Sequence, residues 1–308
     1  MKFEILMSTY NGEKYLGEQL DSILAQTNVD VHITIRDDGS SDGTANILND
    51  YQEKYPNKIT VYSKGNVRKG YKKSFIELLS LAIPDADYYA FADQDDVWLP
   101  EKCCMAAKQL EKCNSEIKLY VCAIKNCDAE LNLLSVNQFN QSRASLKSDF
   151  ARHRFPGCAM VFNPALKKLV IDVANGYNAV PSHDFIVSST AALYGSVIID
   201  DKSYILHRRT NLSLTSKNKG GLSRIRAEYN VVIKNKGENY LLAKMLFKHL
   251  KNNNIQVASY ENIMFLKSVL RYKANFKNTI KLAFYHGFSC GINICDLETK
   301  FKILIRYY

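Results

Sequence analysis

The chain has 308 residues, enough for one large domain or one domain with an appendage, and 46% of them are hydrophobic, which excludes a disordered or fibrous protein. No uninterrupted apolar run of about 18 residues is present, which argues against a membrane-spanning helix. The net charge of +10 is uneven: residues 201–308 hold 20 Lys/Arg against 6 Asp/Glu, so an anionic partner is expected for the C-terminal third.

The opening stretch MKFEILMSTYNG turns polar too soon for a signal-peptide apolar region, and a cytoplasmic protein is expected. Eight cysteines contain no Cys-x-x-Cys pair and read as free, buried thiols. Phe3-Glu4-Ile5-Leu6-Met7 reads as a buried strand. Tyr15, Leu16, Leu20, Ile23 and Leu24 then follow at helical spacing. Val31 to Ile35 is a second, β-branched strand, and the turn Asp37 to Gly43 leads to a helix from Thr44 to Tyr55. Ile59 to Tyr62 is a third strand. Lys72 to Ala82 is a helix stopped before Pro84. Asp87 to Ala92 is a fourth strand that runs into Asp93-Gln94-Asp95-Asp96, and Pro100 opens a helix from about Glu101 to Cys113.

Alternating strands and helices imply an α/β fold with a mostly parallel sheet covered on both faces. Ligands of such sheets bind beyond the C-terminal strand ends. That rule gathers Ser8 to Asn11, Asp37-Asp38 and Asp93 to Asp96 at one edge. After residue 115 the pattern loosens: Leu119 to Ile124, Cys158 to Phe162, Val197 to Asp200 and Tyr204 to Leu206 read as strands, and Ser182 to Tyr194 as a helix. Beyond Gly221 the chain reads as helices with polar breaks at Asn235-Lys236-Gly237 and Asn252-Asn253-Asn254. The expected division is a catalytic domain over residues 1–215 and a basic helical extension over 216–308.

Asp93-x-Asp95 places two carboxylates on one side of an extended chain. Paired hard oxygens suit Mg²⁺ or Mn²⁺ holding a diphosphate. The plainer reading is a solvated acidic turn in which Asp96 caps the next helix. A carboxylate at Asp37-Asp38 suits a nucleobase N–H or a ribose hydroxyl, and the same loop also serves as a turn and helix cap. His183-Asp184 begins a helix whose N-terminus keeps Asp184 ionised, as a general base must be, although Asp at such a position is commonly just a cap. His207 and Arg209 follow a short strand; either suits a diphosphate, and His207 suits a metal.

In combination these pieces resemble the family-two glycosyltransferases. The resemblance runs in order through Met7-Ser8-Thr9-Tyr10-Asn11-Gly12, Arg36-Asp37-Asp38-Gly39-Ser40-Ser41-Asp42-Gly43-Thr44, Phe91 to Lys102, Gly157 to Asn163 and His183-Asp184, over the first two-thirds of the chain. It implies a nucleotide-sugar-binding domain of the GT-A type and a metal-dependent, inverting transfer. It also implies roles: Thr9, Tyr10, Asn11 and Asp38 on the nucleotide, Asp93 on nucleotide or sugar, Asp95 on the metal and Asp184 as base. Bacterial surface-polysaccharide enzymes, including rhamnosyltransferase-like ones, are the nearest in appearance. They imply a UDP- or dTDP-sugar donor and a glycan or lipid-linked acceptor. Relatives carry a Tyr-Arg-x-His-x-x-Asn-like segment where this chain reads Leu206-His207-Arg208-Arg209-Thr210-Asn211. With the frame fixed on Asn211, Arg209 stands where His is expected, and His207 or a phosphate-clamping Arg209 takes its place.

In the tail, Phe265, Val269, Tyr272, Phe276, Ile280 and Ala283 form one apolar stripe if residues 260–285 are helical, with Lys267, Arg271, Lys277 and Lys281 opposite. Such a helix either lies peripherally on an anionic membrane or packs on the catalytic domain. Nucleic acid is not expected, because the basic part carries no recognised reading motif. A sugar nucleotidyltransferase would need a Gly-rich basic loop where Ser8 to Glu13 holds one glycine and an acid. A catalytically degenerate sugar-nucleotide or glycan-binding partner is the other alternative.

Overall fold

A computed structural model describes residues 1–62, 68–209, 237–253 and 258–308. Strand β1 (Lys2–Thr9) is apolar on both faces, with Phe3, Ile5, Leu6 and Met7 fully buried. This is the pattern of a central parallel strand sandwiched between helices. β2 (Asp30–Asp37) and β4 (Tyr88–Ala92) flank β1 in parallel, and β3 (Ile59–Tyr62) extends the sheet beyond β2. The connections carry α1 (Leu16–Leu24), α2 (Thr44–Lys54) and α3 (Tyr71–Leu81). The register pairs Thr9 with Asp37 and Met7 with Ala92, so β1 and β2 end level and β4 ends two residues short of them. The three polar segments that follow them therefore share one edge, as expected.

Beyond β4 the sheet becomes mixed. β8 (Met160–Phe162) runs antiparallel to β4 and to β6 (Lys118–Cys127). β9 (Ser196–Arg208) runs parallel to β6, and β7 (Leu133–Asn137) pairs antiparallel with β6. The two short strands expected at 197–206 are one strand of 13 residues, whose register against β6 shifts near Cys122 and Ala123. Asp201 and Lys202, which have no partner on β6, bulge there without ending the strand.

The chain after Asp96 also differs from expectation. Asp96 caps no helix. Val97–Trp98 forms a two-residue strand, β5, antiparallel to β9, pairing Val97 with Leu206 and Trp98 with Ile205. Only then does α4 (Lys102–Glu111) begin. Two helices went unread in the sequence. α5 (Leu146–Ala151) is capped by Ser145, and α6 (Pro164–Ala174) by Asn163, whose side chain accepts from Leu166 N while Pro164 fills the first turn. α7 (His183–Tyr194) matches its reading.

The C-terminal helices are α8 (Glu238–Asn253), α9 (Tyr260–Arg271), α10 (Phe276–Ala283) and α11 (Asn293–Leu304). The 215/216 boundary, Asn211 and the break at Asn235-Lys236 lie outside the described residues. The single helix expected over 260–285 is broken: Asn275 ends the link after α9 and caps α10 by accepting from Asn278 N at 2.9 Å. Phe265, Val269, Tyr272 and Ala283 are buried, while Phe276 and Ile280 are exposed. The stripe read from the sequence is thus mostly a packing seam. The extension is tied to the rest of the fold by Tyr308, whose hydroxyl donates to Phe150 O at 2.6 Å, and by the buried Tyr194–His249 hydrogen bond at 3.0 Å.

Candidate active site

The loop after β1 is locked to the loop after β2. The buried Thr9 hydroxyl donates to Asp37 Oδ1 at 2.9 Å, and Asp37 accepts from the hydroxyl and backbone N–H of Ser40. Asn11 adopts a left-handed backbone with φ of 49°, tolerable for a short polar side chain. There its N–H donates to Ser40 Oγ and its Oδ1 accepts from Ser41 N, each at 2.9 Å. Tyr10 is fastened through its backbone to the Gln94 amide, leaving its ring exposed with the Arg68 guanidinium 3.9 Å from the ring centroid. Asp38 is buried. Burial alone would raise its pKa, but Arg36 at 2.6 Å and the N–H groups of Lys69 and Gly70 hold it below the usual carboxylate value. Thr9, Tyr10, Asn11 and Asp38 are brought together as expected. Within this loop network Tyr10 turns its ring outward, while Asp38 braces β2 against the start of α3.

The acidic cluster is arranged differently from its sequence reading. β4 ends at Ala92 and residues 94–95 form a turn, so strand alternation no longer governs Asp93 and Asp95. A turn brings positions i and i+3 together instead. Asp93 and Asp96, with His207 and Cys158, have potential ligand atoms all within 4.8 Å of one another; Asp95 is not in that group. Asp96 is fully buried. Its Oδ1 meets His207 Nδ1 at 2.8 Å, and its Oδ2 has no hydrogen-bond partner among the described residues. Burial and then the neighbouring Asp96 and Asp95 charges push Asp93 up to about 7, and burial followed by Asp96 pushes Asp95 up to about 6. Burial opposes charge on His207, but Asp96 and then Asp93 raise its pKa.

Asp93, Asp96 and His207 form a group that could hold a cation. Hard carboxylate oxygens and an imidazole suit Mn²⁺ or Mg²⁺. With Nδ1 directed at Asp96, the His207 ring is oriented to present Nε2, as metal-binding histidines are. The Cys158 thiol is held protonated by burial and then by Asp96 and Asp93, which makes it a poor ligand for a hard ion. The β5–β9 pairing is what sets His207 opposite Asp96.

Arg208 is a site residue that the sequence reading missed. Its guanidinium donates to Asp95 O at 3.1 Å and to Ala129 O at 3.2 Å, pairs with Glu18 and lies 4.5 Å from the Tyr15 ring centroid. It braces the acidic turn from behind. Arg209 continues the β9 edge, with N donating to Cys127 O at 2.8 Å and Nε to Asn126 Oδ1 at 3.0 Å.

His183 and Asp184 part company at the start of α7. His183 is core: it stacks on Phe75 with ring centroids 4.0 Å apart, packs edge-on to Phe91, and burial lowers it to about 4. Asp184 is partly open, with its side chain 21% exposed. Burial alone would raise its pKa, but the His153 imidazole 3.3 Å away drives it far below the usual carboxylate range. His153 Nδ1 lies 2.8 Å from Asp149 Oδ1, and Asp149 Oδ2 accepts from Ser188 at 2.6 Å and Ser189 at 2.7 Å. Burial opposes the His153 charge, yet Asp184 and Asp149 raise it to about 10. Tyr71, at the start of α3, lies edge-on to His183 with ring centroids 6.5 Å apart. Burial, then the charges of Asp184, Glu238 and Asp93, push the Tyr71 phenol up to about 12.

The sheet edge, with its acidic turn, its interlocked loops after β1 and β2 and Asp184 at the start of α7, is of the GT-A type. Residues 4–170 match the model described as Glycosyl transferase family 2, and the chain belongs to that family. The dTDP-rhamnosyl transferase RfbG of Shigella flexneri is 32% identical over 210 residues, covering 66% of this chain and 71% of that protein. Abequosyltransferase RfbV of Salmonella typhimurium is 29% identical over 151 residues, covering 48% of this chain and 42% of its own. Among solved structures, S. aureus TarS 1-349 in complex with UDP-GlcNAc aligns with a TM-score of 0.54 at 18% identity, covering all of this chain and 91% of that one; this likeness speaks for the fold.

Proposed function

We propose that this glycosyltransferase moves a sugar from a UDP- or dTDP-linked donor to a hydroxyl of a glycan or lipid-linked glycan in polysaccharide assembly, with inversion at the anomeric carbon. The name of one curated relative, the dTDP-rhamnosyl transferase RfbG, supports a dTDP-linked donor. The observation that carries the reading is the gathering of Asp93, Asp96 and His207 at the sheet edge, together with Asp184 at the start of α7, whose carboxylate lies 3.3 Å from His153.

In this reading Asp184 takes the proton of the acceptor hydroxyl as that oxygen bonds to the anomeric carbon. The bond from that carbon to the nucleoside diphosphate breaks on the opposite side. Asp93, His207 and the unpartnered Oδ2 of Asp96 would hold Mn²⁺ or Mg²⁺, with Asp96 Oδ1 orienting His207; Asp95, the ligand expected from the sequence, lies outside that group. The ion supplies neutralisation of the departing diphosphate. Arg209 stands at the same edge as a phosphate partner. Thr9, Asn11 and Asp38 shape the loops under the nucleotide, and Tyr10 offers its ring to the base. Residues 1–215 serve as the catalytic domain and 216–308 as its extension. A lipid-linked acceptor would bring the protein to a membrane peripherally, since among the described residues no helix is long and apolar enough to cross one.

Thermal-shift measurement with UDP, dTDP and GDP, each with and without Mn²⁺, tests the donor class, because a ligand of the native state raises the melting temperature. Asp184→Asn is expected to lower transfer by about 10²–10⁴-fold while nucleotide binding persists. Normal transfer by this variant overturns the base assignment. Binding without transfer by the unaltered chain would favour the degenerate-partner alternative.

A further inference from the structure

The large apolar side chains that stay exposed are concentrated at the end of the chain. Of 15 such residues among the described ones, eight lie between Phe276 and Ile305. They fall into two stripes. On α10, Phe276 and Ile280 are followed by Phe284 one turn further, at a constant spacing of four. On α11, Ile294, Leu297, Phe301 and Leu304 repeat at three and four. Both are single helical faces. The inner faces are separately filled: Leu282, Ala283 and Ile303 are buried against the fold. The stripes adjoin, because α10 packs on α11 and Lys300 Nζ on α11 lies 5.3 Å from the ring centroid of Phe284.

The free side-chain charge around these stripes is mostly positive. Lys277, Lys281 and Arg306 are exposed and Lys300 is half-exposed. The acids of α11 are engaged elsewhere. Asp296 accepts from Ser289 and from Cys290 N, and Glu298 is paired with Arg152 at 2.8 Å and Lys302 at 2.6 Å. At the foot of α11, Ile292 lines a cavity of about 280 Å³ together with Arg143, Arg152 and Arg154. Aromatic and aliphatic side chains projecting from two adjacent short helices within a basic rim match the interface of an anionic bilayer, where apolar groups enter the acyl boundary and lysines meet headgroups. A second copy of the chain would bring the same cations face to face, which costs Coulomb energy that lipid phosphates would instead relieve.

We infer that the outer faces of α10 and α11 dock the protein on an anionic membrane surface. This rests on the transferase reading only for its purpose, since vesicle binding is measured without substrate. The full chain should float with vesicles of phosphatidylcholine and phosphatidylglycerol, less with phosphatidylcholine alone, and less as salt rises. Phe284→Ser with Phe301→Ser should weaken binding by roughly tenfold or more. Both rings are already exposed, so the melting temperature should hold, as should transfer to a water-soluble acceptor. Lys277→Glu with Lys281→Glu should remove the preference for the anionic vesicles. The inference is overturned if the unaltered chain fails to float, or if the serine pair floats unchanged. It is equally overturned if sedimentation shows a dimer abolished by the serine pair while vesicles capture nothing. None of these outcomes touches the transferase reading, which fails only if transfer itself is absent.

Discussion

The ring of His153 stands between two carboxylates, with Nε2 3.3 Å from Asp184 and Nδ1 2.8 Å from Asp149. The proposed base is therefore paired with an imidazolium, which keeps it ionised but also makes it a weaker proton acceptor. If Asp184 is the base, His153 would act through it as a positioning residue.

His153→Gln is expected to move the acid limb of the kcat/KM profile to higher pH. Without the imidazolium, burial is left to raise the Asp184 pKa. A merely structural loss would lower the plateau and leave the limb where it was. An unmoved limb would therefore refute the pairing's role in tuning the base.

Stability should carry the same signature. The folded state raises His153 from 6.5 to about 10, so its contribution is complete below 6.5 and is lost as pH rises toward 10. Asp184 is lowered from 3.8, so its contribution is present above 3.8 and lost as pH falls. The melting-temperature advantage of the unaltered chain over His153→Gln should thus be larger at about pH 6 than at about pH 9. An advantage that grew toward pH 9 would contradict the assigned protonation.

Metal binding should divide along the geometry of the acidic turn. With nucleotide present, Mn²⁺ should raise the melting temperature, and EDTA should reverse the effect. His207→Ala should abolish most of that response, while Asp96→Asn, which removes the partner of His207 Nδ1, should weaken Mn²⁺ about 10–100-fold. No Mn²⁺ response in any nucleotide complex would remove the ion from the mechanism.

Gly157 leaves room for the His183 ring: a Cβ there would sit 2.4 Å from Nε2. That ring is stacked on Phe75 and cannot retreat freely. Gly157→Ala should cost about 1–3 kcal/mol, seen as a lower urea midpoint at constant slope. A loss below roughly 0.5 kcal/mol would mean the ring adjusts.

The parallel half of the sheet was legible because its strands are apolar runs separated by capped helices, and the shared edge at the strand ends followed from that alternation. Asp96 was misread because two residues of strand, Val97 and Trp98, lie between it and α4, too few to leave a periodic signal. The Asp96–His207 contact depends on a register across a bulged strand, which composition does not encode. Asp149 and His153 are four apart and could have been read as a local pair, but the short α5 had not been recognised. α6 carried its signal openly in Asn163-Pro164 ahead of Leu166, Leu169, Val170 and Val173. In the tail the apolar period was real, but Asn275 divides it, and burial selects one half.

Asp96 meets His207 across 111 residues, and Glu18 meets Arg208 across 190. Both contacts wait for β9 to reach β5. Without β9 the chain would keep Asp184 and the loop network of Thr9, Asn11 and Ser40, yet would have no imidazole beside the acidic turn. The acidic turn is therefore finished by a strand distant in sequence, and its imidazole depends on β9 reaching β5.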